Sequence, residues 1–182
     1  MRLIAGAMAG LHLGYFTLGG GPVAGQSLDA DEYEVKTAFV YNFAKFTVWP
    51  AAVFATPQSP VVLCMLAGTF FGPALAALQD KPVGQRRLLL REVALQDAGA
   101  CHLLLVGRLL RDRLSDVARA MRGRPTLTIG DAAGFAGQGC AIGLVVVDGR
   151  VRFEVNLAVL DGTGIALSSQ LLRLARLVEN AP

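Results

Sequence analysis

Between Asp31 and Pro50 the chain reads DEYEVKTAFVYNFAKFTVWP, a polar start that passes into an apolar, aromatic-rich helical pattern closed by a proline. At a helical period, Val35, Ala38, Phe39, Asn42, Phe43, Phe46 and Trp49 fall on one broad face, a stripe that the pattern assigns to the core. The opposite side gathers Tyr33, Thr37, Val40, Ala44 and Val48, with Lys36 on one flank and Glu34 and Lys45 on the other. A helix apolar on two sides is buried on two sides. Its second cover is either another part of the chain or another molecule. Asn42, central on the core stripe, then needs a hydrogen-bond partner across the packing.

Further along, continuous apolar runs alternate with helical spacings. Val61–Leu66 reads as a strand buried on both faces, and a helix from about Gly72 to Leu78 carries Pro73 in its first turn. Arg87–Val93, Cys101–Val106, Thr126–Ile129 and Ala141–Val147 supply four more strands, and Leu109–Met121 an amphipathic helix stopped by Gly123 and Pro125. Asp148-Gly149 between apolar runs predicts a tight hairpin into an edge strand, Val151–Val155. Leu167–Val178 predicts a closing helix with Leu171, Leu174, Ala175 and Val178 inward and Arg173 and Arg176 outward. The alternation argues an α/β fold: a mostly parallel sheet flanked by helices, Rossmann-like and three-layered, ending in an antiparallel hairpin.

Composition narrows this picture. With 182 residues, 53% of them apolar and 17% charged, the chain is expected to form one ordinary globular domain rather than a disordered or nucleic-acid-binding one. The run Leu3–Leu18 behind a single Arg2, then Gly19-Gly20-Gly21-Pro22 and the small residues Val23, Ala24 and Gly25, reads as a secretory signal over Met1 to about Gly25. Its removal lowers the net charge from +3 to +2 and leaves residues 26–182 as the mature domain. Cys64, Cys101 and Cys140 are too widely spaced for a zinc knuckle. In an oxidising compartment two of them form a disulfide and leave one over, or all three are buried thiols.

Candidate chemistry is sparse. His102, the only histidine after the leader, sits in an apolar strand run and reads as a core or sheet-end side chain. No catalytic or metal-binding constellation appears, and no cofactor is implied. The turn Gly68-Thr69-Phe70-Phe71-Gly72 is the one candidate ligand site, with Gly68, Thr69 and Gly72 able to offer amides to an anion. Its two phenylalanines favour instead a glycine turn that lets a helix pack closely. The arginines from Arg108 to Arg124 interleave with Asp112 and Asp116, with Arg108 and Asp112 in i,i+4 spacing, so a solvated helix face accounts for them better than nucleic acid does. Glu154 and Asn156, at the end of the hairpin, need partners if buried.

Several segments together resemble the YfiR family of exported bacterial proteins: EYEVKTAFVYNFAKFTVWP, VVLCMLAGTFFGPAL, ACHLLLVG, RPTLTIGDAAGFAGQGCAIGLVVVDGRVRFEVNL and GIALSSQLLRLARLV. The resemblance implies a periplasmic regulator, not an enzyme, that represses an inner-membrane diguanylate cyclase by binding its periplasmic sensor region. It further implies a disulfide between Cys64 and Cys101 on neighbouring strands. Relatives with a second, later cysteine pair differ from this chain, where Cys140 has no mate, and Thr69 stands where many carry an acid. On this reading the exposed partner contacts are Tyr33, Val40 and Tyr41 on the first helix, together with the closing helix. Two alternatives stay open: a small-ligand-binding protein using the Gly68–Gly72 turn, and a homodimer whose two-sided helix buries its twin.

Overall fold

The computed structural model describes residues 24–179. The expected secretory signal lies outside them, apart from Ala24 and Gly25, which open the first helix. That helix, α1, spans Ala24–Lys45, and no described helix is long and apolar enough to cross a membrane. The strands in chain order are β1 (Thr47–Val48), β2 (Val61–Leu66), β3 (Pro82–Val83), β4 (Arg86–Val93), β5 (Leu103–Val106), β6 (Leu127–Gly130), β7 (Ile142–Val147), β8 (Arg150–Val155), β9 (Ala166–Leu167) and β10 (Arg176–Leu177). Two further α-helices are α2 (Leu114–Met121) and α3 (Ser169–Leu172).

An eight-stranded sheet runs in the order β10-β8-β7-β6-β5-β2-β4-β3. Its five central strands, β4, β2, β5, β6 and β7, pair in parallel. β3 and β8 pair antiparallel with their inner neighbours, and β10 returns parallel to β8. The sheet is therefore mixed, not mostly parallel. Nor does the regular strand–helix alternation of a Rossmann-like arrangement appear: between the parallel strands β2 to β7 only α2 is an α-helix, and other connections among them carry short 3-10 segments such as Pro73–Leu78. Pro73 and the small alanines behind it make a tight six-residue turn rather than a full helix.

Alternation along β2 and β5 splits the core in two. Leu63, Leu103 and Leu105 face α1 in one cluster, whereas Cys64, Leu66, Leu104 and Val106 face α2 in the other. Elements thus cover both faces of the sheet. Trp49 donates from Nε1 to the carbonyl of His102, just before β5, while Lys36 reaches Asp131, just after β6. α1 consequently runs antiparallel to the central strands, its N-terminal half at their carboxyl ends.

Four sequence expectations are corrected here. α1 stops at Lys45 rather than Pro50, because the Thr47 hydroxyl donates to the Phe43 carbonyl at 2.6 Å and the β-branched pair Thr47-Val48 joins β9 as a strand. The most buried stripe of α1 is Tyr33, Lys36, Thr37, Val40, Phe43 and Ala44, so the face expected to be the second one packs on the sheet, while Val35 and Ala38 are exposed and Asn42 is only half-buried. The predicted edge strand Val151–Val155 is not an edge, since β10 lies outside it. The predicted closing helix breaks after Leu172: Ser168 caps α3 by accepting from the Leu171 N–H, and the chain then becomes β10, leaving Leu174 exposed. Arg176 forms an ion pair with the buried Glu154, which fixes that last strand to the sheet.

Cys64 of β2 and Cys101, just before β5, are joined in a disulfide with Cα atoms 5.9 Å apart, closing a sequence separation of 37. A loop of that length restrains the unfolded chain by up to about 4 kcal/mol. We expect a Cys64→Ala/Cys101→Ala variant to lose about 2–4 kcal/mol in urea unfolding, and reductant to change the wild-type curve but not the variant's.

Candidate functional site

The carboxyl ends of β2, β5 and β6 form the most highly constructed region of the fold. β6 ends in Gly130, whose missing Cβ admits the Phe135 ring, and the next residue, Asp131, turns its carboxylate under α1. Lys36 is buried and holds Asp131 Oδ2 at 2.8 Å and Glu32 Oε1 at 2.6 Å through Nζ. The Arg108 backbone N–H donates to Asp131 Oδ1 at 2.6 Å, and its guanidinium lies 3.8 Å from Glu32. One ammonium thus faces two carboxylates, one of them fully buried, and a second cation closes the outer side. The cluster ties α1, the end of β6 and the start of the segment after β5 into one joint.

Tyr33 completes the joint. Its ring meets Phe70 and Phe71 edge-on at 5.9 and 5.3 Å, with Lys36 Nζ 5.0 Å and the Arg108 guanidinium 5.3 Å from its centroid. Burial, followed by the negative charge of Asp131, pushes the phenol up to about 12, so it remains protonated. Neither Lys36 nor Asp131 was singled out by the sequence reading. A usable signal existed: Lys36 is four residues from Glu32 and in phase with Tyr33 and Val40.

The residues expected to meet a partner on α1 are mostly inside. Tyr33 and Val40 are buried by the chain's own sheet and turns, which corrects their placement on an exposed surface and removes the reason for a twin molecule to cover that face. Tyr41 is half-buried; its hydroxyl donates to the Pro82 carbonyl at 2.7 Å, and Lys45 Nζ stands 5.3 Å from its ring. It pins α1 to β3.

The Gly68–Gly72 turn packs through Thr69, Phe71 and Gly72, while Gly68 and Phe70 stay exposed and Gly72 borders a cavity of about 520 Å³ with Met65, Leu75 and Leu90. Thr69 Oγ1 accepts from the Gly107 N–H at 3.1 Å and donates to the Leu105 carbonyl at 3.4 Å, stapling the ends of β2 and β5 together. Gly68 and Gly72 both take positive φ, and a Cβ on Gly72 would stand 3.2 Å from the Cβ of Tyr33. With a 3-10 turn behind it, this segment is a packing joint. A cavity of about 740 Å³ lies elsewhere, at the far end of α2, with Arg122, Arg124, Gln138 and Asp161 in its walls. None of the residues singled out as a site lines it. Arg108 also pairs with Glu32 in place of Asp112, because α1 brings that carboxylate closer.

His102 sits at the amino end of β5, stacked on Phe54 at 4.5 Å, and its Nδ1 accepts from the Val62 N–H at 3.0 Å. Burial, aided by the Arg86 charge, lowers it to about 4, so it is neutral near pH 7. Cys140 is a buried thiol pushed up to about 12 by desolvation and is not a nucleophile. Asn156 is fully buried and donates through Nδ2 to the Ala136 carbonyl at 2.9 Å. Among the described residues no three His, Cys, Asp or Glu side chains gather as a metal site.

Two measurements probe this region. Lys36→Met leaves Asp131 charged and buried, and is expected to cost about 3–5 kcal/mol in urea unfolding; adding Asp131→Asn should recover part of the loss. A double-variant loss equal to the sum of the losses in Lys36→Met and Asp131→Asn taken singly would show the pair to be uncoupled. For His102 the folded value of about 4 lies below the ordinary 6.5. Its contribution to stability is therefore complete above about pH 6.5 and is lost as pH falls towards 4, with a slope of up to about 1.4 kcal/mol per pH unit. His102→Asn should flatten the stability curve over that window.

A search among curated proteins finds no match. The model of the YfiR/HmsC-like family matches residues 33–176, from Tyr33 in the Lys36 joint to Arg176 in β10. The chain belongs to the YfiR/HmsC-like family.

Proposed function

We propose that this protein is an exported, non-enzymatic regulator, formed by residues 26–182 as one unit, that binds and represses the periplasmic sensor region of an inner-membrane signalling protein, a diguanylate cyclase. The family match over residues 33–176 carries the reading. The structure supports a binding role in a narrower sense: the charged and polar side chains at the best-built region, Lys36, Asp131, Glu32 and Thr69, are all engaged within the chain. Among the described residues the acids and bases of this cluster are committed to holding α1.

Repression by binding works as a population shift. The regulator must bind the inactive arrangement of the sensor more tightly than the active one, and the ratio of the two affinities sets how far output falls. With Tyr33 and Val40 buried, the contact surface moves to the terminal segment, where Leu174 is 74% exposed beside the α3 turn. An apolar side chain this open, on a segment pinned by the Arg176–Glu154 pair, suits a protein contact.

The experiment is co-purification with an inner-membrane diguanylate cyclase of the same organism, read together with cyclic di-GMP output. Leu174→Glu is expected to weaken capture at least about tenfold while leaving the melting temperature unchanged, since the side chain contributes little to the core. Capture that Leu174→Glu leaves intact would place the contact elsewhere. Failure of the wild type to bind or to lower output would overturn the regulatory reading itself.

A further inference from the structure

The connection from β1 to β2, residues 49–60, holds the 3-10 turn Ala51–Val53 and no ionisable side chain. It closes over the amino ends of β2 and β5 through His102. Trp49 Nε1 donates to the His102 carbonyl at 3.2 Å, its ring stands edge-on to the imidazole at 5.9 Å, and Phe54 stacks on the imidazole at 4.5 Å. The Arg86 guanidinium lies 3.6 Å from the Phe54 centroid and, with one face of that ring taken by the imidazole, covers the other. Arg86 Nη1 then donates to the carbonyls of Thr56 and Ser59 at 3.1 and 2.6 Å. Imidazole, phenyl and guanidinium thus form one stack that pins the connection down.

The bonding at His102 fixes the state of its ring. Its backbone N–H donates to the Val62 carbonyl, and the Val62 N–H donates to its Nδ1, both at 3.0 Å. An Nδ1 that accepts carries no hydrogen, so the neutral ring holds its proton on Nε2, which is buried with no hydrogen-bond partner among the described residues. A second proton, on Nδ1, would face the Val62 N–H, donor against donor, and place a buried cation one ring away from Arg86. No neighbouring acid offsets that charge. β2 and β5 present no titrating side chain, since Cys64 and Cys101 are joined; Arg87 of β4 turns to the Asp80 carbonyl, and Arg124, in the turn before β6, lies against Gly99. Among the described residues Arg86 is the charge that acts on the ring.

We infer that His102 is an acid-sensitive latch: protonation of its ring lifts residues 49–60 off the amino ends of β2 and β5 while the sheet stays folded. In the lifted form the imidazole meets water and titrates at its ordinary 6.5, whereas in the closed form burial and then Arg86 hold it at about 4. The closed form is therefore fully favoured above about pH 6.5 and loses favour about tenfold per unit as pH falls to 4, about 300-fold in all. The Cys64–Cys101 bridge, one residue from the latch, keeps β2 and β5 joined when it opens, so the opening is local.

Trp49 is the only tryptophan of the chain and is buried, so its fluorescence reports on this connection alone. The test is acrylamide quenching of Trp49 in the soluble protein recovered after expression of the full sequence, followed from pH 7 downward beside far-UV circular dichroism. Quenching is expected to rise reversibly as pH falls from 6.5 towards 4, with the dichroism unchanged over the same window and the ring resonances of His102 titrating along the same curve. His102→Asn offers an amide oxygen to the Val62 N–H but takes no proton, and should abolish the rise. The His102 resonances of the wild type carry the test without it. Quenching that pH leaves unchanged, an equal rise in folded His102→Asn, a ring that titrates while Trp49 stays covered, or quenching that rises only as the dichroism is lost would each overturn the inference.

Discussion

The ammonium of Lys36, shared between Asp131 and Glu32, is the interaction on which the arrangement of this molecule turns. Burying an isolated charge is prohibitive, so Lys36 can lie on the sheet side of α1 only if a carboxylate is already waiting at the end of β6. That requirement fixes the rotation of the helix about its axis. With Lys36 inward, Tyr33, Thr37, Val40 and Ala44 go inward with it, and Val35 is left on the surface. The Arg108 backbone and side chain complete the same joint from β5. Two strand ends and one helix are thereby set relative to each other through a handful of atoms.

The rest of the fold is braced around that joint. Thr69 links the ends of β2 and β5 at the carboxyl side, and the Cys64–Cys101 bridge links the same two strands lower down. Trp49, bonded to the His102 carbonyl, ties the far end of the α1 segment to the opposite edge of the same strands. At the other side of the sheet, Glu154 needs a cation for the reason that Asp131 does, and Arg176 supplies it by turning the end of the chain into a strand. Two buried acids thus decide the placement of the first helix and the last strand.

These constraints bear directly on function. The side chains that looked most chemical in the sequence are occupied: Thr69 in a staple, His102 in an aromatic stack held neutral by burial, Cys140 in a core that suppresses its thiolate. What the fold leaves exposed is surface: Phe70 and Leu109 at the carboxyl end of the sheet, and Leu174 on the terminal segment. A rigid body with distinct presenting surfaces agrees with a regulatory protein of the YfiR/HmsC-like family.

Much was legible from residue order. The runs Val61–Leu66, Arg87–Val93 and Ala141–Val147 became strands within a residue or so, and Asp148-Gly149 makes the hairpin turn with both residues at positive φ. Apolar runs and turn chemistry are local, and local physics reads them correctly. The face of α1, the end of the last helix and the order of the sheet were decided by contacts far apart in sequence. A helical wheel scores Lys36 as polar and sends it outward, since nothing near it reveals Asp131, 95 residues away. Likewise the spacing of Leu171, Leu174 and Val178 satisfies a helix until Glu154, 22 residues earlier, draws Arg176 onto the sheet. The sequence by itself determined the six longer strands, β2 and β4 to β8, and the hairpin turn between the last two. Only the tertiary structure decided which faces are buried, because the energy of a buried charge depends on a partner that periodicity cannot see.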